Sequence, residues 1–462
     1  MRVLLINPSQ GNVYGVPIPQ AYPPLGLLYI GAVLEENKHE VRLIDMDNES
    51  TDKDEFKKMF MDFNPDLVGI TGTTSTINNA LKVAKNIKGM SKVPIVLGGI
   101  HATIAPKKTL ESEYVDIVAV GEAEDTIREL VENLDDLEKV KGIWFKKEDK
   151  IIANEPRGLI HDLDTIPFPA RHLLKNPEAY APPDALHKPV ASIMTTRGCF
   201  GQCTYCCTKQ IFGLKIRARS VENILEEIDR CIKEYGVKEI HFMDDNFVFN
   251  KKRVLEFCEE LKKRKYDIYF EFANGLRADN VDRDILQALK DIGVVNLGFG
   301  VESGNQQILD NIKKGIKKER VVKAFKLAKE FGFQTWGFFM FGLPGETKKT
   351  MQDTIDFAIE LDPDFAKFLI LKPYPGSEVF NQLNEKNLIF NYNYSNYGVY
   401  TGPVHRLPDV SADTIQKYQQ KANRAFYLRP GKVLQHIKRI KTWDQFKSNF
   451  TAATFLFRKL FK

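Results

Sequence analysis

The chain has 462 residues, too many for one compact core, and is 43% hydrophobic and 27% charged, as expected of a folded protein of two or three domains. Its net charge of +5 is unevenly spread: residues 421–462 hold eleven Lys or Arg against the single acid Asp444, so the remainder is acidic. A general nucleic-acid binder would spread its basic residues over a folded surface, so no nucleic-acid partner is expected. No stretch approaches the roughly 18 uninterrupted apolar residues of a membrane span. The opening Met1–Ile6 runs into Asn7-Pro8 as a buried strand and not as a signal peptide, so a cytoplasmic protein is expected.

Residues 1–155 read as one domain, in which residues 1–135 alternate short apolar runs with helical patterns. The runs are Val3–Ile6, Val41–Ile44, Leu67–Ile70, Ile95–Leu97 and Ile117–Val120, and the helices fall near 25–37, 53–63, 77–89 and 122–134. Continuous apolar strands separated by helices predict a parallel α/β sheet covered on both faces, a doubly wound domain. Such a domain binds its ligand beyond the carboxyl ends of the strands. The segments there are small and polar: Thr71-Gly72-Thr73-Thr74-Ser75-Thr76, Gly98-Gly99-Ile100-His101 and Gly121-Glu122. Residues 138–155 read as a closing hairpin, and the proline-rich 156–189 as an extended linker.

A second βα series occupies 190–380. Strands are predicted at Val190–Met194, Glu239–Met243, Tyr269–Asn274, Asn296–Gly300, Thr335–Phe341 and Phe365–Leu371. Six units are too few for a closed eight-unit barrel, so an open, partial (β/α)6 barrel is expected, with its site at the carboxyl ends of the strands. Residues 381–462 are a mostly helical region for substrate specificity. Its end carries Phe446, Phe450, Phe457 and Phe461 at helical spacing among Lys and Arg, a pattern that fits peripheral membrane contact through 446–462 and equally a terminal helix packed on the protein's own core.

Of six cysteines none lies in the first 198 residues, and four lie between Cys199 and Cys207. Clustering of this kind points to metal and away from a disulfide framework. Cys199, Cys203 and Cys206 are spaced C-x3-C-x2-C on a loop after the first strand of the second series. Structural zinc and ordinary four-iron clusters both use four protein ligands. Three would leave one iron open to chelate a cofactor. Cys207 is a poor fourth ligand, because adjacent cysteines rarely bind one small cluster without strain.

With Tyr205 before its last cysteine, this loop resembles the signature of the radical S-adenosylmethionine (SAM) superfamily. Three further segments are similar to the family's SAM contacts: Met243-Asp244-Asp245-Asn246, Gly300-Val301-Glu302-Ser303-Gly304 and Phe339-Met340-Phe341-Gly342-Leu343-Pro344-Gly345-Glu346. The resemblance implies a [4Fe-4S] cluster on the three cysteines. It implies SAM bound near Tyr205, Asp244, Asp245, Glu302, Ser303 and Gly342.

The first domain, with Pro23-Pro24-Leu25-Gly26 and Leu97-Gly98-Gly99-Ile100-His101-Ala102, resembles the cobalamin-binding domain of one subgroup of that superfamily. It implies cobalamin contacts at Thr73, Ser75, Thr76, Gly98, Gly99, His101, Gly121 and Glu122. No Asp-x-His-x-x-Gly stretch exists, so a histidine under the cobalt is not expected.

The implied chemistry is one-electron cleavage of SAM to a 5′-deoxyadenosyl radical, which removes hydrogen from an unactivated carbon and needs no acid–base side chain. No catalytic dyad is evident in the sequence. Cobalamin-dependent C-methylation of a small molecule or lipid is the leading expectation, fed by an external reductant of the flavodoxin or ferredoxin type. Cyclisation, carbon–carbon coupling or rearrangement is the alternative. A cobalamin sensor without catalysis would leave the cysteine loop unexplained, and methylthio transfer would require further cysteines before residue 199.

Overall fold

The computed structural model describes residues 1–11, 21–49, 52–148, 150–180, 182 and 185–439. The basic amphipathic pattern at 446–462 lies outside the described residues. Among the described residues no helix is long and apolar enough to cross a membrane.

The first sheet contains β1 (Arg2–Asn7), β2 (Glu40–Asp45), β3 (Leu67–Thr71), β4 (Ile95–Gly98), β5 (Ile117–Ala119), β6 (Ile143–Lys147) and β7 (Lys150–Ala153), in the order β2-β1-β3-β4-β5-β6-β7. The first five strands pair in parallel, and the β6–β7 hairpin adds antiparallel to the edge. Burial on both faces explains the continuous apolar runs. Leu4 and Ile6 pack with Phe56, Phe60, Ala80 and Val83 on one face, while Val3 and Leu5 pack with Leu28, Val33, Ile127 and Leu130 on the other. The strand order reverses between β1 and β3, and ligands sit at such a switch point. The loop after β1 touches the helix Ile77–Lys88 that follows β3, where Asn79 Nδ2 donates to Ser9 O at 2.7 Å.

The second unit holds β8 (Val190–Ile193), a small antiparallel pair of β9 (Thr196–Arg197) and β10 (Arg217–Ala218), then β11 (Glu239–Phe242), β12 (Tyr269–Phe272), β13 (Asn296–Glu302), β14 (Gln334–Phe341) and β15 (Phe365–Ile370). Two parallel sheets, β12-β11-β8 and β13-β14-β15, meet through bridges at Phe270–Val294 and Leu276–Phe299, giving a six-strand arc with helices outside. Those helices are delimited locally. Ser220 caps the helix Val221–Tyr235, which ends on Gly236 in the left-handed region, and Thr347 and Thr350 form a capping box before Lys348–Leu361. The last long helix, Ala412–Tyr427, closes over β15, where the Tyr427 hydroxyl bonds both N–H and C=O of Ala366 at 2.9 and 2.8 Å.

Buried charge joins the two units. Arg197 donates to Glu122 at 2.9 Å and Glu124 at 2.5 Å, and Arg217 donates to the other Glu122 oxygen at 2.7 Å. Beside them, Glu227 accepts from Arg171 at 2.8 Å and from Arg219.

Candidate active site at the facing strand ends

The cysteine loop leaves β9 directly after Arg197 and is pinned on both sides. Thr204 N donates to Ile312 O at 3.0 Å, and Val379 N donates to Thr204 O at 2.9 Å. A Cβ on Gly201 would sit 3.3 Å from Cys199 Sγ and 3.8 Å from Cys203 Sγ, so those two thiols flank one glycine inside the loop. Among the described residues no three His, Cys, Asp or Glu side chains stand close enough to share one metal ion. A single zinc ion gathers its thiolates at about 2.3 Å, whereas a four-iron cage binds each thiolate to a different iron and tolerates wider spacing. Three thiols on one short loop suit such a cage with one iron left open. Burial raises the Cys199 and Cys206 thiols above their ordinary range, a preference that iron coordination reverses. Cys207 points elsewhere, 3.5 Å from Pro375 O.

Beside the loop, Glu302 pairs with Lys314 at 2.7 Å, and both are buried. Burial disfavours the Lys314 cation, but Glu302 outweighs it and its pKa is raised. Tyr205 adjoins Glu302, and burial followed by that carboxylate hold the phenol protonated. Asp245 accepts from Thr208 Oγ1 at 3.3 Å, and burial pushes it up to about 6.

The neighbouring candidates are held in place by hydrogen bonds within the protein. Asp244 accepts from Thr195 N at 3.2 Å, Thr195 Oγ1 at 2.7 Å and Thr196 Oγ1 at 2.5 Å, which ties the end of β8 to β11. Ser303 is fully buried, with Oγ 3.2 Å from Thr354 Oγ1. Gly342 donates to Glu346 at 2.7 Å, and its carbonyl lies 2.8 Å from His405 Nε2.

Across the seam lie the strand ends of the first sheet. The short helix Ile100–Ile104 after β4 packs against Thr208–Ile211 of the cysteine segment. Thr73, Ser75 and Thr76 form a hydroxyl cluster, with Thr73 Oγ1 3.1 Å from Ser75 Oγ and 3.0 Å from Thr76 Oγ1. Gly98, Gly99 and Gly121 present exposed or half-exposed backbone. Gly99 has φ of +91°, and a Cβ there would fall 2.7 Å from Thr71 Oγ1, so only glycine gives this close approach. Such a small-residue, hydroxyl-bearing edge fits a large planar ligand. His101 turns inward instead: its Nδ1 is 3.2 Å from Thr74 Oγ1, and its ring lies edge-on to Tyr394 at 5.0 Å. Burial lowers its pKa to about 4. Glu122 is spent on Arg197, Arg217 and the Ile160 N–H, which makes it a link between the units.

Residues 193–358 match the Radical SAM superfamily and residues 11–131 match the B12 binding domain. An uncharacterised methyltransferase of Pyrococcus horikoshii is 36% identical over 95% of this chain and 95% of its own length. The chain belongs to the cobalamin-binding radical SAM family. It is an enzyme of the methyltransferase-like branch, and its cofactors are a [4Fe-4S] cluster, SAM and cobalamin.

Another relative, the cytidylyl-2-hydroxyethylphosphonate methyltransferase of Streptomyces wedmorensis, is 30% identical over 82% of this chain and 81% of that protein. Ring-forming cyclases of magnesium-protoporphyrin IX monomethyl ester also occur among the relatives. The cobalamin-dependent SAM radical enzyme OxsB, with aqua-cobalamin and SAM bound, shares the fold with a TM-score of 0.76 and 20% identity, covering 100% of this chain and 72% of OxsB. As an enzyme of this family it takes a small-molecule substrate and electrons from an external reductant.

Three features of the seam escaped the sequence reading. Lys314 was not foreseen as the partner of Glu302. Neither was Arg277, whose guanidinium lies over the Phe200 ring at 5.5 Å and near Gly201. The third is a buried carboxylate–imidazole–phenol chain, Glu239–His241–Tyr22, where no dyad was expected. Its signal was the Glu239 and His241 alternation within an otherwise apolar strand.

Proposed function

We propose that this enzyme transfers a methyl group to an unactivated carbon of its substrate. The observation that carries the reading is the opposition of two strand-end edges: a three-cysteine loop on one side, and a glycine- and hydroxyl-lined edge on the other. Cys199, Cys203 and Cys206 would hold the cluster, with Tyr205, Asp245 and the Glu302–Lys314 pair bordering SAM. Thr73, Ser75, Gly98, Gly99 and Gly121 would line the cobalamin edge, with Thr76 shaping the hydroxyl turn. When bound, the cluster supplies the electron that cleaves SAM, and cobalamin carries the methyl group. The protein's own contribution is positional. The Glu122–Arg197–Arg217 link holds the two edges in register, and the helix Ala412–Tyr427 closes the outer wall.

The relatives support methyl transfer, two of them being methyltransferases. The cyclases among them support a second reading, ring formation on the same radical platform. SAM labelled in its methyl group separates the two. Methyl transfer requires label in the product and none when cobalamin is withheld. Substrate-dependent 5′-deoxyadenosine release with an unlabelled, cyclised product would decide for ring formation.

A further inference from the structure

Side chains alternate across each strand of the arc, and the helix-facing set is apolar, including Ile240, Phe242, Leu297, Phe299, Phe339 and Phe368. The opposite set faces the lumen and mixes polar side chains, among them Ser192, His241, Glu271 and Lys367, with aromatic ones such as Trp336 and Phe338. Ser192, His241 and Glu271 stand in one register row across β8, β11 and β12, all buried. His241 Nε2 lies 2.7 Å from Glu239 Oε1, and Nδ1 lies 2.9 Å from the Tyr22 hydroxyl. Glu239 Oε2 also accepts from the N–H groups of Leu186 and His187 at 2.8 and 2.7 Å.

Three buried polar atoms on this face have no hydrogen-bond partner among the described residues: Ser192 Oγ, Asn296 Oδ1 and Trp336 Nε1. Ser192 and Asn296 are only 1% and 2% exposed. Buried donors and acceptors are almost always satisfied, and each exception needs a cause. An ordered water or a hydrogen-bonding ligand supplies one, and a hydrocarbon does not.

The far wall adds charge. Lys367 Nζ lies 4.8 Å from the Trp336 ring centroid and 5.4 Å from that of Phe338, and Trp336 stacks on Phe365 at 4.3 Å. Phe338 lies against Gly298, where a Cβ would fall 2.9 Å from its ring. Lys367 has no ion pair among the described residues. It shares a register row with Phe338 and Gly300, and a Cβ on Gly300 would touch Glu302 and Lys314. Lys367 therefore stands two strands from the Glu302–Lys314 pair, across the Phe338 ring.

We propose that the lumen binds the methyl acceptor, and that this acceptor is a polar small molecule whose carboxylate or phosphate pairs with Lys367. Its flat or apolar portion lies on Trp336 and Phe338, and its hydrogen-bonding groups face Ser192 and Asn296. This rests on the methyl-transfer reading above. The same cation could serve the carboxylate of SAM, so the test separates the two sources.

The holoenzyme, with reductant and SAM labelled in its methyl group, is given two pools from its own cells. One is the small molecules retained by an anion-exchange resin, and the other is the solvent-extracted lipids. Label should enter the anionic pool. In Lys367→Met the methyl incorporated per 5′-deoxyadenosine released should fall about tenfold or more, the size of a lost charge-assisted contact, and Lys367→Arg should recover most of it. Label confined to the lipid pool, or an unchanged ratio in Lys367→Met, overturns the proposal. So does a variant in which methylation and 5′-deoxyadenosine fall together and excess SAM restores both, because Lys367 then serves SAM. Label in neither pool while 5′-deoxyadenosine is still released defeats the methyl-transfer reading, and the proposal with it. Should Lys367→Met lose its iron, Lys367→Gln and Trp336→Phe carry the same comparison.

Discussion

Replacing Glu122 with glutamine tests whether charge at the seam holds the two units together. The Glu122 side chain is 1% exposed, and those of Arg197 and Arg217 are 7% and 5% exposed. Glutamine keeps the shape but leaves two buried guanidiniums with one carboxylate fewer. Arg197 retains Glu124, whereas Arg217 has no other carboxylate partner among the described ion pairs. Breaking a buried pair on one side costs about 3–5 kcal/mol, which for a unit of this size lowers the melting temperature by on the order of 10 °C. Calorimetry of Glu122→Gln, Arg217→Met and the double variant measures this. The double variant should be less impaired than the sum of the singles, because it removes the orphaned charge together with its partner. Burial opposes the Glu122 carboxylate, but Arg217 and Arg197 outweigh it and its pKa is lowered. Its contribution is therefore complete above the ordinary glutamate value and disappears as pH falls through the lowered one. A loss below about 1 kcal/mol, the range of an exposed pair, would refute this account of the seam.

Glu346 shows the opposite linkage. Burial pushes its carboxyl up to about 8, and Oε2 accepts from the N–H groups of Gly342 and Leu343. Because the folded state holds that proton more tightly, stability should fall as pH rises from about 4.5 to about 8. Glu346→Gln should flatten that slope in urea titrations, and an unchanged slope would contradict it. Gly99→Ala should lower both stability and cobalamin retention, since it forces a Cβ onto Thr71 in a left-handed backbone; gel filtration with bound cobalamin read by absorbance checks this. His101→Ala should leave the cobalt spectrum unchanged, because the imidazole is turned to Thr74 and Tyr394.

The parts of this enzyme that were legible in its sequence share one physical property. A strand buried on both faces must be apolar throughout, so Val3–Ile6 and Leu67–Ile70 announce themselves, and the helices between them follow from period. The cysteine loop was equally legible, because C-x3-C-x2-C is local. Contacts between distant segments were not. Glu122 reads as a loop residue next to a ligand edge until Arg197, 75 positions away, is seen to consume its carboxylate. Asp244 likewise reads as a strand-end contact, and its partners Thr195 and Thr196 lie 49 and 48 positions earlier. The polar part of the lumen was half visible: Glu239, His241 and Glu271 interrupt apolar strands at period two. That pattern alone does not say whether the second face meets solvent or a closed interior. The lipid suspicion came from residues 446–462, outside the described residues, while the lumen argues for a polar acceptor.

The central claim is that Cys199, Cys203 and Cys206 carry the cluster that cleaves SAM. Anaerobic reconstitution followed by iron analysis and 5′-deoxyadenosine release tests it directly. The wild-type chain and a Cys207, Cys231 and Cys258 triple alanine variant should each bind about four irons, as a four-iron cluster requires, and both should cleave SAM. The Cys199, Cys203 and Cys206 triple alanine variant should do neither. Release of 5′-deoxyadenosine by that last variant would contradict the account.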